Sequence, residues 1–235
     1  SLHDALPISN EAQVFPNPFI KATYPIIENV ANLYGGIDGR YRKQSLKNII
    51  QTNQFASAYN ITNGYENVKL FAGINGKVGS SMDAQFEINY LDFSNMPLFI
   101  TRNDSFNSFA MVVDHMNVLK FSAAVNYSFS EKARIGLSGN FYNYETTNQA
   151  QAWQLPVVEG KLNMNYNIKN KVYPHVDIIA MSMQNQRTGL IDSKYTQSTI
   201  KPFYDISAGI DFRFRPKLSL FVQANNVMST RYQRW

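Results

Sequence analysis

The chain has 235 residues, no cysteine, 17% charged residues and a formal net charge of +5. The lack of cysteine excludes a disulfide framework, a zinc–thiolate site and a cysteine nucleophile. No stretch comes near the roughly 18 consecutive apolar residues of a membrane-spanning helix, which excludes a helical membrane protein. The positive charges are scattered rather than clustered, so we expect no binding to nucleic acid.

Residues 1–14 do not show the alternation of apolar and polar residues found in the rest of the chain, and we interpret them as a non-native or disordered leader. The rest, 15–235, is predicted as one domain in which apolar and polar residues alternate in runs. Because side chains alternate faces along a strand, each run has one apolar and one polar face. The predicted strands are 19–24, 30–41, 68–78, 82–93, 118–129, 133–145, 157–168, 172–183, 203–214 and 218–227.

The length of these runs distinguishes them from the strands of a soluble sandwich. In 157–168, for example, Leu162, Met164 and Tyr166 alternate with polar residues. Runs of about 11 residues match a tilted crossing of a bilayer, whereas ordinary strands average about 5–6. A mean hydropathy of −0.30 is compatible with this, because every second residue of such a strand faces water. We therefore predict an all-β fold, an antiparallel up-and-down transmembrane β-barrel of about ten strands that forms an open partial barrel.

Short and long connections alternate along the chain. Tight turns are predicted near Glu28, Ser80, Glu131, Lys169 and Pro216. Long loops are predicted near Gln54, Phe106, Gln149 and Asp192, including 94–117 and 184–199, with one or two helical turns at 45–51 capped by Ser45. Bacterial barrels have tight periplasmic turns and long extracellular loops. Aromatic residues beside the tight turns then predict a periplasmic girdle, formed by Tyr127, Phe129, Tyr166, Tyr173, Phe212 and Phe214.

Charged residues on the polar face of the strands are the main candidates for a functional site. They would line a water-filled lumen, either as a ladder of salt bridges and amides or as contacts to a plug or a passing substrate. The candidates are Asp83, Glu87, Arg134, Glu159, Lys161, Asp177, Asp205, Asp211 and Arg213. Aromatic residues of the long loops could contact a substrate or pack the loops together; these are Phe106, Trp153 and Tyr195.

Covalent chemistry and metal binding find little support. Asp114 and His115 are adjacent, and adjacent side chains of an extended chain point to opposite sides. No Gly-x-Ser-x-Gly elbow and no metal-ligand spacing is present. We therefore expect no enzyme activity, cofactor or metal centre. A membrane-embedded hydrolase and a soluble β-repeat protein or adhesin remain alternatives, and the adhesin would bury its Leu162, Met164 and Tyr166 face.

The C-terminal stretch from Leu218 resembles the penultimate strand of TonB-dependent outer-membrane receptors. In that family an apolar strand runs into a pair of asparagines, a short polar spacer and a tyrosine, here Asn225, Asn226 and Tyr232. Two further segments, 34–41 and 152–156, resemble members of the Bacteroidetes type.

The resemblance implies the C-terminal half of a barrel of about 22 strands, lacking the plug domain and the final strand. It implies active uptake of a scarce nutrient, a siderophore, glycan or peptide, across the outer membrane of a Gram-negative bacterium. The expected partners are outer-membrane lipid, the nutrient and the TonB complex, which would act through a plug domain absent from this chain. The alternative function is a passive, porin-like diffusion barrel without a plug.

Overall fold

The computed structural model describes residues 19–42, 45–57, 63–102, 108–188, 196–215 and 218–234. Within these ranges the chain is almost entirely β-structure, with one helix, α1, at Leu46–Thr52. The strands are β1 Ile20–Ile27, β2 Ala31–Arg42, β3 Ala56–Ser57, β4 Gly64–Val78, β5 Met82–Thr101, β6 Phe109–Ser128, β7 Ala133–Thr146, β8 Val158–Tyr166, β9 Val172–Met181, β10 Gln184–Thr188, β11 Thr196–Ile200, β12 Phe203–Arg215 and β13 Leu218–Ala224.

Ten strands form one continuous antiparallel path, in the order β1-β2-β4-β5-β6-β7-β8-β9-β12-β13. The strands of this path follow one another in the order of the sequence, which is an up-and-down topology. Among the described residues β1 and β13 pair with each other nowhere, so the sheet is open. The predicted fold class and the expected ten strands are confirmed. The short strands β3, β10 and β11 lie off the path, at the end of the sheet with long loops.

The four tight turns near Glu28, Ser80, Glu131 and Lys169 lie where the sequence predicted them. Asn29 and Gly79 have φ angles of 59° and 68°, and Lys169 and Asn170 have φ angles of 52° and 57°. Two consecutive residues with positive φ fit the twist of a two-residue hairpin, so Lys169 and Asn170 join β8 to β9 without splaying them. The predicted turn at Pro216 lies outside the described residues.

Two predicted loops are instead hairpins. β5 and β6 pair from Met82 with Tyr127 up to Thr101 with Phe109, so the predicted loop at 94–117 is wrong over most of its length. A shift of register between Phe93 and Met96 absorbs the irregular sequence there and restores the ladder beyond it. In the same way 184–199, predicted as a loop, contains the paired strands β10 and β11.

The outer face of the sheet is apolar and exposed. The Leu137 side chain is 57% exposed and the Met164 side chain is 42% exposed, whereas a soluble sandwich would bury such residues. The adhesin alternative required the face of Met164 to be buried, and the structure shows that face exposed. A continuous exposed apolar face of this kind is typical of a surface covered by lipid. The exposed apolar side chains of this outer face include Leu33, Leu70, Ile74, Phe86, Ile88, Leu137, Phe141, Met164, Tyr166 and Ile210.

The girdle prediction is wrong for Tyr173. This residue pairs with Asp211 across the sheet, and the Arg213 guanidinium lies 4.3 Å from the centre of its ring. Because cross-strand partners share a face, Tyr173 lies on the inner, polar face of the sheet. Tyr127 and Phe129, in contrast, form an edge-to-face pair beside the turn between β6 and β7, with centroids 4.6 Å apart.

Close packing is concentrated around the upper hairpin, the part of β5 and β6 beyond the register shift. On one side Phe99 and Phe109 pack against Ile49 of α1. The helix is capped as predicted, since the Ser45 hydroxyl accepts a hydrogen bond from the Asn48 backbone N–H. On the other side the loop after β7 covers the hairpin. Within the described ranges no helix has both the length and the apolar character needed to cross a membrane.

Candidate functional site

The predicted inner-face charges all lie on the face opposite to Leu137 and Met164. Asn140 pairs with Glu159 between β7 and β8, and Asn163 pairs with Asp177 between β8 and β9. Partners share a face, so the register extends this face from strand to strand across the sheet. It carries Asp83, Glu87, Arg134, Glu159, Lys161, Asp177, Asp205, Asp211 and Arg213. That this face lines a lumen stays a prediction.

Close ion pairs do not join these charges in the described part of the inner face. Among the described residues, none of them forms an ion pair within 4.0 Å, even where opposite charges face each other, as Lys77 and Asp83 do. Arg40 and Asp38, two residues apart on β2, form an ion pair at 2.8 Å elsewhere on this face. The nine predicted charges are therefore spaced along the inner face rather than joined to one another in ion pairs.

Tyrosine hydroxyls donate to several inner carboxylates. Hydrogen bonds to a carboxylate are stronger than those between neutral groups. Each pair joins positions far apart in the sequence, so alternation alone could not reveal it. The tyrosine–carboxylate pairs are Tyr34 with Glu87 at 2.9 Å, Tyr142 with Glu159 at 3.0 Å and Tyr232 with Asp205 at 2.6 Å.

Asp114 anchors the loop that follows β7. Its buried carboxylate accepts hydrogen bonds from the backbone N–H groups of Asn148 and Gln149 at 3.0 and 2.9 Å. It also accepts from the side-chain amide of Asn148 and the backbone N–H of His115. Burial by itself raises the pKa of Asp114, but these donors together hold its pKa below the ordinary value.

Asp114 and His115 do not form a catalytic pair. The Nε2 atom of His115 lies 3.9 Å from the carboxylate of Asp92, while the carboxylate of Asp114 is occupied by the loop. The contacts of Asp114 are those of a structural anchor, in agreement with the expectation that the two adjacent side chains do not act together.

Trp153 packs the loop against the upper hairpin. The side chain is 1% exposed and lies against Leu98 and Ile100, and its Nε1 donates to the side-chain oxygen of Gln149 at 3.0 Å. Of the two roles open to this residue, the structure shows the loop packing, and a substrate contact stays a prediction. Phe106 and Tyr195 lie outside the described residues.

The asparagine–tyrosine motif folds the chain back over the inner face. Asn226 has a φ of 49°, and its side chain accepts from the Thr230 N–H and donates to the Thr230 carbonyl. This closed turn directs Tyr232 onto Phe203, with the two rings stacked at 4.3 Å. Asn225 accepts a hydrogen bond from Gln223. The motif therefore positions the tyrosine that contacts Asp205.

A cavity of about 400 Å³ opens between α1, the upper hairpin and the loop after β7. We call it the loop-side cavity. A neighbouring groove of about 840 Å³ shares Thr52 and Arg234 with it. In the part of the chain that the structure describes, no group of three histidines or acidic residues is arranged to hold a metal ion.

No protein-family model and no curated protein sequence matches the chain. Solved structures do match. The pyoverdine outer membrane receptor FpvA from Pseudomonas aeruginosa PAO1 has a TM-score of 0.62 and 12% identity over 93% of this chain and 32% of its own. The ferric-catecholate import receptor Fiu from Escherichia coli K12 has a TM-score of 0.62 and 12% identity over 93% of this chain and 31% of its own.

The FrpB iron transporter from Neisseria meningitidis has a TM-score of 0.62 and 11% identity, covering 92% of this chain and 34% of its own. The chain thus spans about a third of the length of these solved structures. At this level of identity the likeness shows the fold alone. The chain has the fold of a segment of an outer-membrane receptor barrel.

Proposed function

We propose that this chain forms part of the wall and the ligand-binding end of an outer-membrane receptor that actively takes up a scarce nutrient. The observation that carries the proposal is the division of the sheet into an exposed apolar face and an opposite face lined with charged residues. Lipid would cover the first face, and the second would line a wet interior. The folded loop end would present the nutrient-binding surface.

The fold and the sequence motifs support the proposal in different ways. The solved structures of similar fold are receptors and transporters of iron, pyoverdine and catecholate complexes. The motif of Asn225, Asn226 and Tyr232 resembles TonB-dependent receptors, and from it we infer coupling to the TonB complex through a plug domain. The segments 34–41 and 152–156 resemble the Bacteroidetes type, which we propose as the branch of the family.

The site residues have positioning and electrostatic roles in this proposal, and no covalent step is required. Inner-face carboxylates such as Asp177 and Asp211 would contact the plug or the passing nutrient. Trp153 and Asp114 would hold the loop after β7 in place above them. We propose a siderophore, a glycan or a peptide as the nutrient that is carried.

The energy dependence of uptake distinguishes active transport from passive diffusion. Uptake of the nutrient is measured in cells that express the full-length protein and in cells that lack it. Each measurement is repeated with an uncoupler and in a strain without the TonB gene. The proposal expects accumulation of the nutrient against its gradient, lost both with the uncoupler and without TonB. Uptake that continues under both conditions would instead establish the passive diffusion barrel.

A further inference from the structure

The two cavities at the loop end of the sheet differ in how accessible their amides are. In the loop-side cavity the amides belong to Gln154 and Gln184, which are each 3% exposed. The neighbouring groove of about 840 Å³ is lined by Gln51 and Gln54, which are both exposed. A ligand can therefore reach hydrogen-bonding side chains in this second groove, which we call the glutamine groove.

An aromatic ring forms an apolar part of the glutamine groove. Phe55 lines the groove and is 44% exposed. Its backbone is fixed on both sides, because its N–H donates to the side-chain oxygen of Asn53 at 3.0 Å and its carbonyl accepts from the Phe109 N–H at 3.1 Å. The ring is thus attached to a well-anchored segment while much of its surface stays open to a ligand.

The polar walls of the glutamine groove carry little charge. One wall is fixed by the side-chain amide of Gln186, which donates to the Thr101 hydroxyl at 2.7 Å. Among the described residues that line the groove none is acidic, and Arg234 is the only one with a formal charge. The side-chain amides of Gln51 and Gln54 form no hydrogen bond to another described residue, so water or a ligand is their partner.

These groups match the two kinds of surface that a neutral sugar presents. An amide offers an N–H donor and a C=O acceptor side by side, and neighbouring sugar hydroxyls, each a donor and an acceptor, complement such a pair. The C–H face of a sugar ring is apolar and packs on the face of an aromatic ring. The volume of about 840 Å³ lies in the upper part of the range of small-molecule sites.

The same groove fits the other two classes of nutrient less well. An anionic iron chelate calls for several cations, and among the described lining residues Arg234 is alone. An extended peptide binds by adding to free backbone groups of a strand. In this wall the Phe55 carbonyl is taken by Phe109, and Thr101 already pairs with Phe109 and Thr188. What remains accessible is side-chain amides and an aromatic ring.

We propose that the glutamine groove is a binding site for a neutral oligosaccharide, which stacks a sugar ring on Phe55 and hydrogen-bonds to the amides of Gln51 and Gln54. The inference rests on the proposed function and narrows its nutrient to a glycan. A peptide and an iron chelate become outcomes of the test.

The test uses the full-length protein, purified in detergent from outer membranes, and calorimetric titration with maltohexaose, cellohexaose, laminarihexaose and xylohexaose. We expect saturable binding of at least one of them. Phe55→Ala should weaken this binding about tenfold or more, because the stacking surface is lost, whereas Phe55→Tyr should retain it. The matched control is Leu46→Ala, at an exposed apolar residue of α1 that does not line the groove, and it should bind as the native protein does.

A second pair of variants tests the amides. Gln51→Leu should weaken binding about three- to tenfold, because the sugar hydroxyls lose a donor and an acceptor. Gln197→Leu, at an exposed glutamine of β11 outside the groove, should leave binding unchanged. If Phe55→Ala does not fold, Gln51→Leu supplies the comparison, since leucine is a good helix former. Absence of binding by every hexasaccharide, or equal binding by the native protein and the folded groove variants, overturns the inference.

Two further ligands separate this inference from the function on which it rests. N-acetyl-Ala-Leu-Ala-amide that binds in place of the oligosaccharides, and is lost in Phe55→Ala, would overturn the glycan class and assign the groove to peptides. Energy-dependent uptake of a ferric chelate without any oligosaccharide binding would also overturn the inference, but would leave the receptor function standing. Loss of energy dependence would remove the receptor function itself.

Discussion

The hydroxyl of Tyr232 donates a 2.6 Å hydrogen bond to the carboxylate of Asp205, and the ring of Tyr232 stacks on Phe203. We predict that Tyr232→Phe keeps the stacking but leaves Asp205 without its donor. The expected cost is about 1 kcal/mol, with faster amide hydrogen exchange at 226–230. Tyr204→Phe is the control, because Tyr204 projects from the exposed outer face. Equal exchange in the two variants would show that the stacked rings alone hold the segment.

Replacement of Asp114 by asparagine should release the loop after β7. The variant retains one acceptor oxygen, and the backbone donors of Asn148 and Gln149 lose the charged partner that they share. We expect a loss of about 1–3 kcal/mol and a red shift of Trp153 fluorescence, measured in a Trp235→Phe background. Asp83→Asn, at an exposed carboxylate of β5, should leave the emission unchanged. An unshifted spectrum in Asp114→Asn would contradict the anchoring role.

The same anchor should respond to acid. Asp114 lies in the upper hairpin, beyond the predicted membrane crossing, and its pKa is lower in the folded protein than in the unfolded chain. Its contribution to stability is therefore fully present above the ordinary pKa of about 4 and is lost as the pH falls through the lowered folded value. Trp153 fluorescence should shift only below about pH 4. The shift should be absent from an acid titration of Asp114→Asn, and a transition that persists there would assign it to another group.

A side chain at position 73 should disrupt the inner face. A Cβ atom on Gly73 would lie 2.6 Å from the backbone oxygen of Phe86 and 2.6 Å from the Tyr34 hydroxyl, which donates to Glu87. We predict that Gly73→Ala costs about 1–3 kcal/mol, measured as a lower temperature for loss of the SDS-resistant fold. Gly160→Ala is the matched control, since nothing lies within 4 Å of its added Cβ. Equal temperatures for the two variants would argue against the Tyr34 contact.

Neighbouring positions on β7 test which face meets lipid. Leu137 lies on the outer face and Ser138 on the inner face, and both are exposed. Leu137→Arg should cost about 2–4 kcal/mol in a bilayer, because a charge near the membrane midplane is poorly solvated. Ser138→Arg should change the unfolding free energy little. Denaturant titration of both variants in lipid vesicles measures their free energies of unfolding. A larger loss of unfolding free energy in Ser138→Arg than in Leu137→Arg would reverse the assignment of the faces.

The sequence predicted the ten strands of the main path because alternation is a local signal. Each of these strands has one apolar and one polar face, so its period is visible without knowledge of its neighbours. The upper hairpin was missed because both of its faces are covered, one by Ile49 and the other by Trp153. Its apolar residues therefore run consecutively at Leu98, Phe99 and Ile100, and such a run carries no period of two.

For the candidate site, the sequence could predict which residues lie on the polar face of the sheet but not which of them contact one another. Parity places Glu87 and Tyr34 on the polar side of their strands, but the hydrogen bond between residues 53 positions apart depends on the register of the sheet. The buried amide of Gln154 has no sequence signal at all. Its conformation follows from the contact with Asn185, which the fold creates.

The length of the β5–β6 hairpin has a mechanical consequence. Twenty residues at about 3.4 Å each make a ladder of about 65 Å, roughly twice the thickness of a bilayer core. The register shift between Phe93 and Met96 divides the ladder into two parts, and a strand bends most readily at such a shift. The β10–β11 hairpin is attached to the upper part, since Thr188 pairs with Thr101 and the Gln186 side chain donates to the Thr101 hydroxyl. Bending at the shift would therefore move the upper hairpin and the β10–β11 hairpin together, as one unit.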